Sequence, residues 1–278
     1  MARVHSNASA QGTAAVTAAA LSAIITNGIS YELWRTGIAD NATARIGTMN
    51  AVAFAVGAVT GSIYYLGTDG IVMRCDQNGS SAAVIDASGV GLTNPKREYF
   101  ALDVDEAAGV LFVSNGWDVV LYAYDLSTFT RTTLGSLGEF ANSKIKAHPA
   151  TATVYLFGQN GNAFRYGYAG GSVALPTGFP SGGGSGSVAF DDAEGLIFLR
   201  GYGSLYRHNT ATGTNTLILS GLQSQDYFNG DTLAVDATAQ RVYCRTTANY
   251  VTSLDYDGAN VVDHTNAVAG GSASARLA

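Results

Sequence analysis

Apolar and polar residues alternate along most of this chain in short runs, punctuated by Gly, Asn and Asp. The run VVLYAYD from Val119 shows the period of two that a β-strand requires. Four such runs make a unit. In the clearest one, YFALDVD (from Tyr99), GVLFVS (from Gly109), VVLYAYD and FTRTTL (from Phe129) follow one another as four strands. The turn DEAAG between the first two opens on an Asp that can bond its own backbone and closes on a Gly that accepts positive φ.

The unit recurs. VGAVTGSIY from Val56, VDEAAGVLF from Val104, AHPATATVY from Ala147, FDDAEGLIF from Phe190 and VDATAQRVY from Val235 align without a gap, their starts 48, 43, 43 and 45 residues apart. A period of this size built from strand patterns predicts a β-propeller. At about 45 residues per blade, the chain of 278 residues accommodates six. Hairpin signals agree, at Thr68-Asp69-Gly70, Gln77-Asn78-Gly79, Gln159-Asn160-Gly161 and Gly201-Tyr202-Gly203. The first repeat, a hairpin about Asn27-Gly28 followed by NATARIG from Asn41, lacks a first strand. The tail AVAGGSASARLA after Asn266 is expected to supply it, with Ala14–Ala20 as the alternative. The fold expected is therefore all-β: a six-bladed β-propeller of four-stranded blades over residues 21–278, its ring closed by strands from both termini. Residues 1–20 are expected to form an arm that docks on a neighbour.

Two segments, SIYYLGTDGIVMRCDQNGSSAAVI from Ser62 and ALDVDEAAGVLFVS from Ala101, resemble the repeats of YWTD-type propellers of the low-density-lipoprotein-receptor class. The family's tetrapeptide is degenerate here, as Tyr64-Tyr65-Leu66-Gly67 and Leu111-Phe112-Val113-Ser114, and the EGF-like cysteine-rich flanks are absent from the sequence. The resemblance implies a six-bladed fold and does not extend to receptor function.

Charge and composition narrow the chemistry. The net charge is −6 and the only lysines are Lys96, Lys144 and Lys146, so no basic stripe is present to neutralise the phosphates of a nucleic acid. No run approaches the ~20 apolar residues of a membrane-spanning helix. Cys75 and Cys244 fall in different places of non-adjacent repeats, which predicts neither a disulfide nor a CxxC metal site. His5, His148, His208 and His264 are scattered over unrelated repeat positions, against a zinc site. At one turn position the repeats carry Asp105, Asp191 and Asp236, with His148 and Gly57 in the other two. Because His and Gly interrupt any ring of carboxylates, this position reads as turn architecture. No cofactor and no metal is expected.

Loop length points elsewhere. Turns between first and second strands are short and uniform, whereas the connections leaving each fourth strand are long and individual, as in ASGVGLTNPKREY from Ala87 and SGLQSQDYFNGD from Ser220. They emerge at the same end as the loops joining second and third strands. That face is expected to carry Arg97, Trp117, Asp118, Phe140, Asn160, Phe179, Tyr202, Tyr227, Asn249 and Tyr250, a mixture of aromatic and polar groups suited to recognition. The expected function is a non-catalytic binding or assembly module, a virion structural or host-recognition protein, with a protein of the assembly or a surface glycan as partner. The composition, poor in Lys and rich in Thr, Ser, Gly and Ala, suits an extracellular or virion-associated site, although the Ala-rich N-terminus is a poor secretory signal. An alternative is an enzyme resembling six-bladed sugar-lactone hydrolases, with Asn115, Asn142, Asn160, Asp226 and Asp231 near a central cation. No Glu stands at the first-strand position which that resemblance requires. A secreted sugar-binding propeller is the remaining alternative.

Overall fold

The computed structural model describes residues 22–27, 32–37, 43–57, 59–90, 100–115, 118–136, 141–158, 162–180, 187–201, 203–222, 233–245, 251–263 and 273–277. Nearly all of them lie in antiparallel strands or their turns. The proposed arm, residues 1–20, falls outside them.

The chain opens with the hairpin read around Asn27, β1 (Ser22–Asn27) and β2 (Glu32–Gly37). The next strand, β3 (Thr43–Val56), is 14 residues long. Its first half pairs with β2, Trp34 opposite Arg45, and its second half with β4 (Ile63–Gly67), Phe54 opposite Tyr65. β5 (Val72–Cys75) and β6 (Ala83–Asp86) follow in order. β7 (Phe100–Asp105), β8 (Val110–Asn115), β9 (Val120–Asp125) and β10 (Arg131–Ser136) make a four-stranded meander, close to the bounds that the alternation predicts. β11 (Ala141–His148), β12 (Thr153–Gly158) and β13 (Ala163–Gly167) make a sheet of three, with a 3₁₀ turn at Pro149–Thr151 between the first two. β14 (Ser187–Asp191), β15 (Leu196–Gly201), β16 (Ser204–Asn209) and β17 (Thr214–Ser220) form a sheet of four. So do β18 (Leu233–Asp236), β19 (Arg241–Arg245), β20 (Val251–Asp255) and β21 (Val262–Asp263). Finally β22 (Ala273–Leu277) pairs antiparallel with β1, Ile25 opposite Ala275.

Among the described residues the sheets are thus five, of seven, four, three, four and four strands, where six separate sheets of four were expected. Two local causes account for the difference. No turn interrupts β3, so it serves as the last strand of one four-strand group and the first of the next. After β13, the Gly170-Gly171 pair and Pro176 leave too little strand-forming sequence. A lone bridge, Tyr166 to Ser172, and a bond from Val173 N to Arg165 O stand where a fourth strand was read.

The core lies between sheets. Leu102 and Val104 of β7 pack against Ala55, Tyr64 and Leu66, while Ala101 on the opposite face of β7 meets Ile145, Val154 and Leu156. Tyr155 and Phe157 of β12 meet Val188, Phe190 and Ile197, and Ala189 and Phe198 meet Leu233, Val235 and Val242. The sheets β7–β10, β11–β13 and β14–β17 are therefore packed on both faces, which explains why inner strands such as β7 and β14 are buried along their whole length. The first strands stand side by side in succession: β3 touches β7, β7 touches β11, β11 touches β14, β14 touches β18, and β18 touches β22. Cys75 and Cys244 are both buried.

Pairing of β22 with β1 joins the last described strand to the first. A chain truncated after residue 270 would leave β1 with an open edge. We expect it to unfold at lower temperature, with a broader transition, and to self-associate by size-exclusion chromatography. An unchanged, monomeric unfolding profile would contradict that role for β22.

Candidate functional site

Polar side chains concentrate at two ends of the sheets, and the ends behave differently. At the first, where first and second strands meet, Asp105, Asp191 and Asp236 each begin a turn. Their Oδ1 atoms accept turn N–H groups: Ala108 at 3.1 Å, Ala193 and Glu194 at 3.1 and 3.2 Å, Thr238 and Ala239 both at 3.0 Å. This is the local bonding expected of Asp in a turn. The other oxygen does something the sequence did not disclose. Oδ2 of Asp105 accepts the hydroxyl of Tyr168 at 3.0 Å, and Oδ2 of Asp191 that of Tyr256 at 2.7 Å. Both tyrosines come from the following sheet, just past its third strand.

The two turns that lack Asp solve the same problem in reverse. At Gly57 the carboxylate arrives from the following sheet, as Glu106. It accepts Val59 N and Thr60 N at 2.6 and 2.8 Å, with Thr60 Oγ1 and the Tyr64 hydroxyl at 2.5 and 3.0 Å. At His148 it arrives as Asp192, whose Oδ1 lies 2.5 Å from Nε2. The His148 ring stacks on Phe190 at 4.1 Å and its Nδ1 lies 2.8 Å from Thr151 Oγ1. Glu106 and Asp192 hold equivalent positions, each one residue after a turn Asp. Every turn of this end from β3 to β14 thus places one carboxylate across the seam to the next sheet. Asp103 adds a further crossing bond, accepting Ala147 N at 2.7 Å with Lys146 Nζ 3.9 Å away.

These bonds are buried enough to move ionisations. Burial, then the charge of Glu106, pushes the Tyr64 phenol up to about 12. Burial and the facing carboxylates push Tyr168 and Tyr256 up as well. Among the described residues no group of three or more His, Cys, Asp or Glu is placed to hold a metal ion.

At the opposite end, polar groups anchor the roots of the long loops. Val90 N donates to Gly70 O at 3.1 Å and Leu222 N to Gly203 O at 2.8 Å, folding each connection back over the second-to-third-strand turn of its own sheet. Asn115, fully buried, donates Nδ2 to Val90 O at 2.9 Å and to Asp118 Oδ2 at 2.8 Å, and accepts Asp118 N at 3.0 Å. Arg131 donates to Gly89 O at 2.8 Å and to Asp86 at 3.1 Å while lying over the Tyr122 ring, and Asp86 also accepts the Tyr124 hydroxyl.

Of the recognition residues read from sequence, Asp118 is at this end, exposed and held by Asn115. Phe179 is not on an open face. It is 8% exposed, with its ring 5.8 Å from that of Tyr155 and set edge-on to His208. It fills the seam that the three-stranded sheet leaves short, so apolar burial there outweighs display to solvent. Arg97, Trp117, Phe140, Asn160, Tyr202, Tyr227, Asn249 and Tyr250 lie outside the described residues. Of the residues considered for a cation, Asn115 has its amide committed to Val90 and Asp118, and Asn142 lies in β11. Asn160, Asp226 and Asp231 are outside the described residues. Tyr168, Tyr256 and Glu106 were missed by sequence reasoning. Their one signal is spacing, since the tyrosines follow Asp105 and Asp191 by 63 and 65 residues.

No family model matches this sequence, and no curated protein matches it. Among solved structures the chain is similar to one from the crystal structure of a nidogen/laminin complex, a YWTD β-propeller domain. The TM-score is 0.66, at 13% sequence identity, over 87% of this chain and 92% of that one. At this identity the likeness shows the fold alone, an all-β propeller of antiparallel sheets.

Two outcomes follow for the seams. Tyr168→Phe and Tyr256→Phe each strip a donor from a buried carboxylate and should cost about 1–3 kcal/mol in denaturant unfolding; changes within error would mean the bonds are not structural. The Tyr64 phenol has its ordinary value at 10 and sits at about 12 in the fold, so its contribution is complete below pH 10 and disappears as pH climbs from 10 toward 12. Alkaline titration should therefore release a late group of tyrosinates together with loss of the β-sheet circular dichroism signal. Smooth ionisation of all tyrosines near pH 10, with the sheets intact, would contradict this.

Proposed function

We propose that this protein is a non-catalytic binding and assembly module: a virion structural or host-recognition component that works outside the cell through its loop-bearing face. The observation that carries the reading is the contrast between the two ends. At the turn end Asp105, Glu106, Asp191, Asp192 and Asp236 are committed to turn or cross-sheet bonds. At the other end Asn115, Arg131 and the carbonyls of Gly70 and Gly203 hold the roots of long, dissimilar loops. A rigid frame with anchored, variable loops is the arrangement that recognition of a partner calls for. Trp117, Tyr202, Tyr227 and Tyr250 are the aromatic anchors assigned to that face, and the partner is a protein of the assembly or a surface glycan.

The finer architecture belongs to the same proposal. Six blades are supported by the succession of six first strands, β3, β7, β11, β14, β18 and β22, each in contact with the next. In this reading β3 serves two blades and β22 completes the first of them through β1. The arm, residues 1–20, would extend from this ring to a neighbouring copy.

Mass spectrometry of purified virus particles from the source culture should find this chain at a fixed copy number per particle. Its absence from particles would overturn the virion assignment. With Trp117, Tyr202 and Tyr250 replaced together by Ala, host attachment should fall at least about tenfold, equivalent to ~1.4 kcal/mol, while thermal unfolding stays unchanged. Undiminished attachment would remove the loop face from the mechanism.

A further inference from the structure

The donors beside Gly57 form a receptor for a carboxylate that another part of the chain supplies. Two backbone N–H groups, of Val59 and Thr60, converge on Oε2 of Glu106, and two hydroxyls, of Thr60 and Tyr64, on Oε1. None belongs to the element that carries Glu106. Their positions are set within the β3–β4 hairpin, where Gly57 N bonds Ser62 O at 2.8 Å and Gly61 N bonds Gly57 O at 3.1 Å. Ser62 N donates to Thr60 Oγ1 at 3.0 Å and orients that hydroxyl. Glycine at 57 leaves the space that the carboxylate occupies: a Cβ there would lie 2.1 Å from both Cδ and Oε1 of Glu106, and the Glu106 side chain would have to move out of the site. All four donors are neutral, which matches a single negative charge shared by two oxygens. Backbone N–H groups gathered in a turn are a recurrent anion-binding device, and donors to an ionised carboxylate make stronger bonds than donors to a neutral group. Val59 and Thr60 are exposed, so the receptor opens to solvent.

We propose that the turn after β3 is a carboxylate-binding site in its own right. Glu106 is its resident ligand, and an external monocarboxylate takes the same four donors when Glu106 is withdrawn. The site lies at the turn end, away from the loops of the proposed working face, so its fate and that of the functional reading are independent.

Glu106→Ala keeps Cβ and removes a CH₂ and the carboxylate, the shape of acetate. This variant should melt below the wild type. Its melting temperature should rise saturably with sodium acetate, half-maximal at the order of 1–10 mM, and not with sodium chloride at equal ionic strength. Wild type should show no such difference, since its own side chain holds the site at high effective concentration. Adding Tyr64→Phe to Glu106→Ala removes one donor and should weaken the acetate response about tenfold. Adding Gly57→Ala instead should abolish it by filling the space. If Glu106→Ala fails to fold in chloride, refolding in acetate against chloride provides the same readout. Equal behaviour of acetate and chloride would overturn the proposal, as would an acetate response that survives Gly57→Ala.

Discussion

A hydrogen bond that links a carboxylate across each of the four seams from β3 to β18 is the interaction on which the rest of this structure depends. Stacked sheets share apolar faces, and apolar contact is not directional. It would let one sheet slide on the next with little change in buried area. An ionised carboxylate taken out of water tolerates no such slack, because it must keep its donors or incur a large desolvation penalty. Tyr168 on Asp105, Tyr256 on Asp191, Glu106 on the Gly57 turn and Asp192 on His148 therefore set the register between sheets that the core clusters hold together.

The way these bonds are divided also explains an irregularity of the repeat. Where a turn keeps its Asp, the next sheet answers with a tyrosine, at Asp105 and Asp191. Where the turn carries Gly57 or His148, the next sheet answers with an acid, Glu106 or Asp192. The substitutions that break a ring of carboxylates are thus complementary changes across a seam. Because Asp103, Asp105, Glu106, Asp191 and Asp192 are engaged in this way, the turn face acts as a fastening, and the proposed recognition surface is formed by the loops at the other end. There the roots are pinned by Asn115 and Arg131, which lowers the entropy lost when a loop binds.

Period, strand order and turn chemistry were legible in the sequence, because each is local or repeats at a constant interval. The strands β7 to β10 fall where alternation and the Asp-to-Gly turn put them, and β22 pairs with β1 as the incomplete first repeat implied. The count of separate sheets was not legible. Whether β3 breaks between its two partners depends on the geometry of both, and no turn residue announces the answer. Nor was the missing fourth strand after β13, which Gly-Gly and Pro176 undermine within an otherwise normal repeat.

The sequence by itself determined that this chain folds as repeated units of antiparallel strands, since periodicity and turn propensity act over a few residues. Only the tertiary structure decided what the polar residues of the turns do. Asp105 and Tyr168 lie 63 residues apart and Gly57 and Glu106 belong to different sheets, so their meeting follows from the stacking angle of neighbouring sheets. The same stacking turned Phe179 from a residue for display into one that fills a seam. Burial on packing is a property of the assembled sheets, and no local pattern encodes it.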